Sequence, residues 1–131
     1  MIVVDASAVL EFLLQTVLGT RIESRLFRDH GELHAPHLLD VEMCQALRRL
    51  VRLGDVSTER AQEALSDFVD LDIRRHAHTP LLDRVWDLRN NLTAYDAMYV
   101  ALAEALDAPL VTCDARLSAS PGHEARIDLL A

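Results

Sequence analysis

Short apolar runs alternate along the chain with longer segments in which apolar residues recur every three or four positions. The runs at 2–4 and 109–112 have the length and composition of buried strands, and residues 33–35, just before Pro36, form a candidate short strand. Further strands are expected at 71–73 and 127–130, the last at an edge of the sheet. Strands separated by helices predict a parallel sheet with helices on both faces.

The segments between the expected strands have the apolar spacing of amphipathic helices, and their ends carry typical capping residues. The expected helices cover residues 8–14, 21–28, 38–53, 58–69, 80–88 and 94–106. The residues that mark their ends are Ser7, Ser57 and Thr93 as N-caps, Pro80 at a helix start and Gly54 just past a helix end. The strands expected at 2–4, 33–35 and 71–73 are each followed by a helix, as a parallel sheet requires.

The length and composition suit one globular domain spanning residues 1–131. The hydrophobic fraction is 50%, yet no stretch approaches the roughly 20 apolar residues of a membrane span. No basic leader precedes the first strand, so a cytoplasmic protein that does not bind a membrane is expected. The expected fold is a single α/β domain with a central, mostly parallel sheet of four to five strands, flanked by helices on both faces.

All thirteen basic residues of the chain are arginine, and none is lysine. The absence of lysine excludes a phosphate-binding loop that ends in lysine, and it excludes Schiff-base chemistry. The formal net charge of −8 disfavours a stand-alone nucleic-acid-binding module, because such modules are usually basic. A nuclease is less affected, since bound divalent cations offset clustered negative charge. Cys44 and Cys113 lack metal-site spacing and are expected to be buried, reduced thiols.

Two aspartates come after apolar strands, at the carboxyl end of each. Asp5 directly follows the strand at 2–4, and Asp114 lies just past the strand at 109–112. Open parallel α/β sheets bind their ligands outside this edge, which makes both residues candidates for a functional site. Taken singly, each could equally be a solvated turn residue, since aspartate is common in turns.

Two further acids lie on predicted helices, at the side or the head of an apolar stripe. Glu42 lies one turn before Ala46 in the long helix, and Asp96 begins the stripe of the later helix. A carboxylate that faces a core is costly unless it is paired or binds a metal. For Asp96 a capping role is equally consistent, because Thr93-x-x-Asp96 fits a capping box.

The four acids would form a metal site if the fold brought them together. Carboxylates close to one another cannot all stay ionised without a counter-charge. With no lysine available, a divalent cation is the expected counter-charge. Oxygen ligands suit Mg²⁺, with Mn²⁺ as a substitute, rather than zinc. The chemistry that such a set supports best is hydrolysis of a phosphate diester by an activated water.

Four stretches around these acids resemble the motifs of the PIN-domain ribonucleases, and specifically of the VapC toxins of bacterial toxin–antitoxin pairs. They read IVVDASA at Asp5, HLLDVEMCQALR at Glu42, LTAYDAMYVALAE at Asp96 and VTCDARL at Asp114. Their order and spacing agree with the family over essentially the whole chain. One departure is Gln45, where many members carry asparagine. This difference concerns how the substrate is bound, and it leaves the four acids intact.

The resemblance implies a Mg²⁺-dependent endoribonuclease that acts as a toxin, forms homodimers and is inhibited by a cognate antitoxin. The catalytic residues and metal ligands that it implies are Asp5, Glu42, Asp96 and Asp114. The residues that it places in supporting roles beside those ligands are Ser7, Thr93 and Thr112. Arg116, two residues after the last acid, is the arginine best placed to contact an RNA phosphate.

Two alternatives stay open from the sequence. A metal-dependent phosphatase or DNA nuclease could use the same acids, although an aspartyl-phosphate phosphatase would carry a second acid where Ser7 stands. A non-catalytic interaction module could use them to bind an arginine of a partner.

Two surface features could serve macromolecular partners. The arginine pairs at 48–49 and 74–75 are typical solvated charges, but either could guide an RNA backbone. The dense apolar residues of 12–18 exceed what one buried helix face uses, so they predict a groove for a protein partner.

Overall fold

The computed structural model describes residues 1–28 and 31–131, and its elements follow the expected alternation. The five strands found there are β1 Ile2–Val4, β2 Leu33–Pro36, β3 Ile73–His76, β4 Leu110–Thr112 and β5 Ile127–Leu129. The seven α-helices of these residues are α1 Ala6–Leu13, α2 Gly19–Leu26, α3 Leu38–Leu53, α4 Thr58–Asp70, α5 Leu82–Asp87, α6 Ala94–Leu106 and α7 Ala115–Ala119. A 3₁₀-helix over Thr79–Leu81 leads into α5.

The five strands form one sheet in the order β3-β2-β1-β4-β5. Every pairing between neighbouring strands in the described part of the chain is parallel. The central strand β1 is buried along its whole length, whereas the edge strand β3 is buried only at Ile73. The expected α/β fold is therefore confirmed, with β5 at an edge as predicted.

The strand order reverses at the junction of β1 and β4. From β1 the chain adds β2 and β3 on one side, and it then returns across the sheet to place β4 on the other side of β1. Because parallel crossovers are right-handed, α1–α4 and α5–α6 cover opposite faces of the sheet. The packing agrees, since α1 contacts α2, α3 and α4, whereas α5 packs on α6. The carboxyl ends of β1 and β4 therefore border the crevice where such sheets bind ligands.

The helices differ in how many of their sides are buried. In α6 the seven consecutive residues 97–103 are buried, whereas α3 buries only Leu39, Met43 and Leu47 along one stripe. A helix that is apolar all round lies inside a domain, and a one-sided helix lies at its surface. The sequence predicted both cysteines to be buried, but Cys44 is exposed on α3 and Cys113 is only half-buried. No helix in the described residues is long and apolar enough to cross a membrane.

The start of α1 differs from the prediction. Asp5, not Ser7, is the N-cap, because its carboxylate accepts a hydrogen bond from the Ala8 amide at 3.0 Å. The short helix α7 was not predicted, and Asp114 caps it by accepting a hydrogen bond from the Arg116 amide at 2.9 Å. Both aspartates therefore end a strand and begin a helix, a position that favours aspartate on capping grounds alone.

Three other element boundaries are shifted. β3 begins at Ile73, two residues later than predicted, because α4 continues until its C-cap at Leu71. α5 begins only at Leu82, since Pro80 belongs to the preceding 3₁₀-helix. α2 begins and ends two residues earlier than predicted. The end residues confirmed in their predicted roles are Ser57, Thr93 and Gly54.

Candidate active site

The pairing of β1 with β4 brings Asp5 and Asp114 to the same edge of the sheet. Val4 lies opposite Val111 in the register of the two strands. The Asp5 amide donates to the Val111 carbonyl at 3.4 Å, which continues the pairing one residue beyond β1. Two acids that lie 109 residues apart in the sequence thus border the same crevice.

Asp5 is a buried carboxylate, 7% exposed, and three donors hold it. Ser7 Oγ donates to Asp5 Oδ1 at 2.6 Å, and the Ala8 amide donates to the same oxygen at 3.0 Å. Thr112 Oγ1 donates to Asp5 Oδ2. Because a carboxylate has about four acceptor sites, Asp5 is fixed in orientation and still has room for a further ligand.

The two hydroxyl groups beside Asp5 also join the ends of β1 and β4. Ser7 Oγ accepts a hydrogen bond from the Cys113 amide at 2.9 Å. Thr112 Oγ1 accepts one from the Asp114 amide at 3.0 Å. Each hydroxyl therefore donates to one acid and fixes the backbone that carries the other, which is the geometry a supporting role requires.

Glu42 reaches the same region from α3 and is held by a residue of α6. Tyr99, which is 2% exposed, donates its hydroxyl proton to Glu42 Oε1. Tyr99 was not among the site residues expected from the sequence. The available signal was its position one turn after Asp96 on the same helix, which brings a polar tip close to the acids.

Asp96 lies in the first turn of α6, next to the cap of that helix. Thr93 Oγ1 accepts a hydrogen bond from the Asp96 amide at 3.2 Å, so Thr93 is the N-cap. The Asp96 side chain is thereby held near the helix N-terminus, where the aligned backbone amides favour a negative charge.

Three of the four acids have raised pKa values. Burial raises the pKa of Asp5, and the charge of Asp114 raises it further, while three hydrogen bonds lower it. Burial also raises the pKa of Glu42, as do the charges of Asp5 and Asp96. The pKa of Asp96 is raised by burial and by the charge of Asp114. The charge of Asp114 acts on Asp5 and Asp96. The charges of Asp5 and Asp96 in turn act on Glu42. The four carboxylates therefore lie around one crevice, and we call them the carboxylate ring.

This carboxylate ring suits a hard divalent cation in its chemistry. Its members offer only oxygen, and Asp5 retains an acceptor site. In residues 1–28 and 31–131, however, no three acidic, histidine or cysteine side chains are gathered tightly enough to bind an ion as they stand. Like charges favour such a wider spacing. The ring is therefore a set of converging ligands rather than a closed coordination shell.

Arg116 lies at the rim of the carboxylate ring. Its guanidinium lies 3.5 Å from Asp114 Oδ2, and its side chain is almost fully exposed. Its positive charge lowers the pKa of Asp96, against the effect of burial. An exposed guanidinium beside the acids could contact a phosphate without leaving the site.

A parallel sheet with a ring of carboxylates at its switch point defines a class of small α/β domains with an acidic crevice. The chain belongs to one family within that class, the PIN domain, whose family model matches residues 2–122. The matched range includes all four acids and most of the fold.

The relatives of the chain narrow its place in the family. Ribonuclease VapC1 of Mycobacterium tuberculosis is 44% identical over 129 residues, which cover 98% of this chain and 96% of that protein. Ribonuclease VapC12 of the same species is 42% identical over 132 residues and covers both chains fully. The solved structure of VapBC2 from Rickettsia felis, bound to a DNA fragment from their promoter, superposes with a TM-score of 0.72. It covers 100% of both chains at 13% identity, and so it supports the fold alone.

Proposed function

We propose that the chain is a Mg²⁺-dependent endoribonuclease that hydrolyses RNA phosphodiester bonds and acts as the toxin of a toxin–antitoxin pair. The observation that carries the proposal is the carboxylate ring around buried Asp5, at the switch point of the sheet. Burying like charges destabilises a fold, which indicates that the ring serves function rather than stability. The relatives VapC1 and VapC12 are ribonucleases by name, which supports RNA as the substrate.

In this proposal Asp5 and Asp96 are direct ligands of Mg²⁺, and Glu42 and Asp114 complete the set. A bound Mg²⁺, for which Mn²⁺ can substitute, would offset the negative charges and lower the pKa of a water molecule so that it attacks phosphorus. One carboxylate orients that water. Arg116 would contact a phosphate of the RNA from the rim of the carboxylate ring, where its side chain is exposed.

Neutral substitutions of the two direct ligands test the proposal. Asp96→Asn and Asp5→Asn keep the shape of each side chain, and asparagine still caps a helix. We expect each to reduce cleavage of RNA by more than the about 10- to 100-fold typical for loss of a residue that only supports a ligand. Asp83→Asn is the matched control, because Asp83 also lies in the first turn of a helix. Full activity in either ligand variant would refute the assignment.

The metal requirement and the range of substrates distinguish the proposed ribonuclease from a DNA nuclease, a phosphatase and a non-catalytic module. EDTA is expected to abolish cleavage and Mn²⁺ to restore it. Single-stranded DNA of the same sequence and a phosphate monoester test for a DNA nuclease and a phosphatase. An aspartyl-phosphate phosphatase carries an acid two residues after its nucleophile. Here that position holds Ser7, which donates to Asp5. A chain that takes up no Mg²⁺ in a calorimetric titration would be a non-catalytic interaction module.

For the antitoxin we propose the groove at the start of α2. A cavity of about 360 Å³ there is lined by residues that include Phe12, Leu13 and Gly19. Val17 stands almost fully exposed in the loop that leads to it. The other residues that line the groove include the acids Glu23 and Asp67, so the groove suits a partner helix that presents both an apolar face and basic side chains. Val17→Asp should weaken inhibition by the antitoxin while RNA cleavage by the free toxin persists.

For the homodimer we propose the exposed face of α5. Leu82 and Trp86 lie one turn apart on that helix, and Trp86 is 67% exposed. Large exposed apolar side chains are typical of interfaces rather than of a free surface. Trp86→Ala should lower the mass of the particle measured by light scattering from two chains to one. We propose a cytoplasmic location, because an RNA substrate and an antitoxin would both be present there.

A further inference from the structure

Three arginines on α3 stand out because each lacks both an ionic and a hydrogen-bond partner among the residues that the structure describes. Arg21 and Arg89 also lack an ion pair there, but each donates to a backbone carbonyl. Arg48, Arg49 and Arg52 are exposed and form no ion pair or side-chain hydrogen bond within the described residues. We refer to them as the α3 arginines. The arginines that do form ion pairs are Arg25, Arg60, Arg74, Arg75, Arg84, Arg116 and Arg126.

The structure distinguishes the two arginine pairs that the sequence offered as equal guides for RNA. Arg74 lies 3.1 Å from Glu32, and Arg75 lies 2.8 Å from Asp40, so protein carboxylates already offset both charges. No carboxylate of residues 1–28 or 31–131 pairs with the α3 arginines in this way. Their charge is therefore available to an external anion.

The helix aligns this free charge with the carboxylate ring. Arg49 and Arg52 lie seven and ten residues after Glu42, so the three share one side of α3. At about 1.5 Å per residue they lie about 10 and 15 Å from Glu42 along the helix axis. Exposed Gln45 lies between them and Glu42 on that side, and Arg48 flanks it.

The neighbouring helix does not compensate the charge. The groove between α3 and α4 is lined on the α3 side by residues that include Arg48 and Arg52. The residues that line it from α4 are Thr58, Ala61, Gln62 and Leu65, none of which is acidic. In a chain of net charge −8, this is an unneutralised basic stripe that begins beside an acidic site.

We propose that the α3 arginines bind backbone phosphates of single-stranded RNA on one side of the scissile bond. The inference rests on the proposed function and names the path that the substrate takes from the carboxylate ring. RNA is favoured because the stripe is continuous with the side of α3 that carries Glu42, and because guanidinium groups pair well with phosphate. Phosphate contacts carry no sequence information, so the stripe sets the position of the RNA rather than the cleavage sequence.

The salt dependence of RNA binding tests the stripe directly. Binding is measured in an Asp96→Asn background with Mg²⁺ present, using labelled single-stranded RNA of about 20 nucleotides. Each phosphate contact contributes about 0.7 to the slope of log affinity against log salt concentration for a single strand. We expect Arg48→Gln, Arg49→Gln and Arg52→Gln each to reduce the slope by about 0.7, and the triple variant by about 2. Arg74→Gln removes the same charge elsewhere and should leave the slope unchanged.

The length of the substrate supplies a second readout. With the Asp96 side chain intact, the triple variant should raise KM for the long RNA far more than for an RNA of about three nucleotides, which cannot reach Arg52. An unchanged slope in the triple variant would overturn the inference. A change in the mass of the particle would overturn it as well, because the stripe would then cover a protein interface.

Failure of the inference is distinguishable from failure of the proposed function. If Asp96→Asn cleaves RNA as fast as the unmodified chain, the proposed function is wrong. If Asp96→Asn is inactive but the triple arginine variant binds RNA with the original slope, only the path of the RNA is wrong.

Discussion

Tyr99 of α6 donates its hydroxyl proton to Glu42 of α3, and this contact joins a buried helix to a surface helix at the carboxylate ring. The hydroxyl is held between two packed elements, so it orients the carboxylate rather than following it. Burial raises the pKa of Tyr99, as does its bond to Glu42, so the phenol remains a donor across the working pH range.

Removal of that hydroxyl should weaken metal binding without unfolding the chain. We expect Tyr99→Phe to lower the affinity for Mn²⁺ by about 10- to 100-fold, the usual effect of losing a group that orients a metal ligand. Calorimetric titration measures it. Tyr95→Phe is the matched control, because Tyr95 is on the same helix but is 61% exposed. Equal affinities in both variants would contradict a role for Tyr99 in orienting Glu42.

Loss of the Thr112 hydroxyl should weaken metal binding as much as loss of the Tyr99 hydroxyl, for a different reason. Its buried hydroxyl donates to Asp5 and accepts from the Asp114 amide, so Thr112→Val leaves both groups without that partner. We expect metal affinity to fall by about 10- to 100-fold. Thr112→Ser keeps the hydroxyl and should restore most of it. If Thr112→Ser binds the metal as weakly as Thr112→Val, then packing of the threonine methyl group, rather than hydrogen bonding, explains the loss of affinity.

The carboxylate ring predicts the pH dependence of stability in metal-free protein. Burial raises the pKa of Asp96 above 3.8, so above that pH the folded chain binds more protons than the unfolded chain. The contribution of Asp96 to the free energy of unfolding therefore decreases as pH rises from about 4 through the raised pKa. Asp96→Asn removes the loss of stability that comes from ionising a half-buried carboxyl group.

In EDTA we expect Asp96→Asn to match the parent Tm near pH 4 and to exceed it by a few degrees at about pH 7. Asp83→Asn, in the first turn of α5, controls for loss of a favourable charge at a helix N-terminus. Added Mg²⁺ should raise the Tm of the parent chain more than that of Asp96→Asn. A Tm difference that does not change with pH would argue against the ring.

The two cysteines should differ in their reactivity. Burial, together with the nearby charge of Asp5, raises the pKa of Cys113 to about 11, whereas Cys44 is exposed on α3. Since the thiolate is the reactive form, alkylation in mild base should modify Cys44 well before Cys113. Mass spectrometry of peptides measures both rates. In guanidinium chloride the two rates should converge, and equal rates in the folded chain would contradict the partial burial of Cys113.

Much of the fold was predictable because the apolar pattern is strong and local. The strands at Ile2–Val4 and Leu110–Thr112 and the helix from Leu38 to Leu53 follow from runs and stripes of apolar residues. The short helix α7 was missed because its five residues carry too little periodicity. β3 was misplaced because its pairing with β2, rather than its own pattern, decides where it begins.

The sequence by itself determined the parallel α/β fold, the identity of the four acids and their motifs, because these depend on residue type and spacing along the chain. The tertiary structure decided what those acids touch. The bonds of Asp5 to Thr112 and of Glu42 to Tyr99 join residues 107 and 57 positions apart, and no local pattern encodes such contacts. It also decided which arginines keep a free charge, since Arg74 and Arg75 have partners on neighbouring elements while the α3 arginines do not. Long-range packing sets partners, and partners set the pKa values and free charges on which function depends.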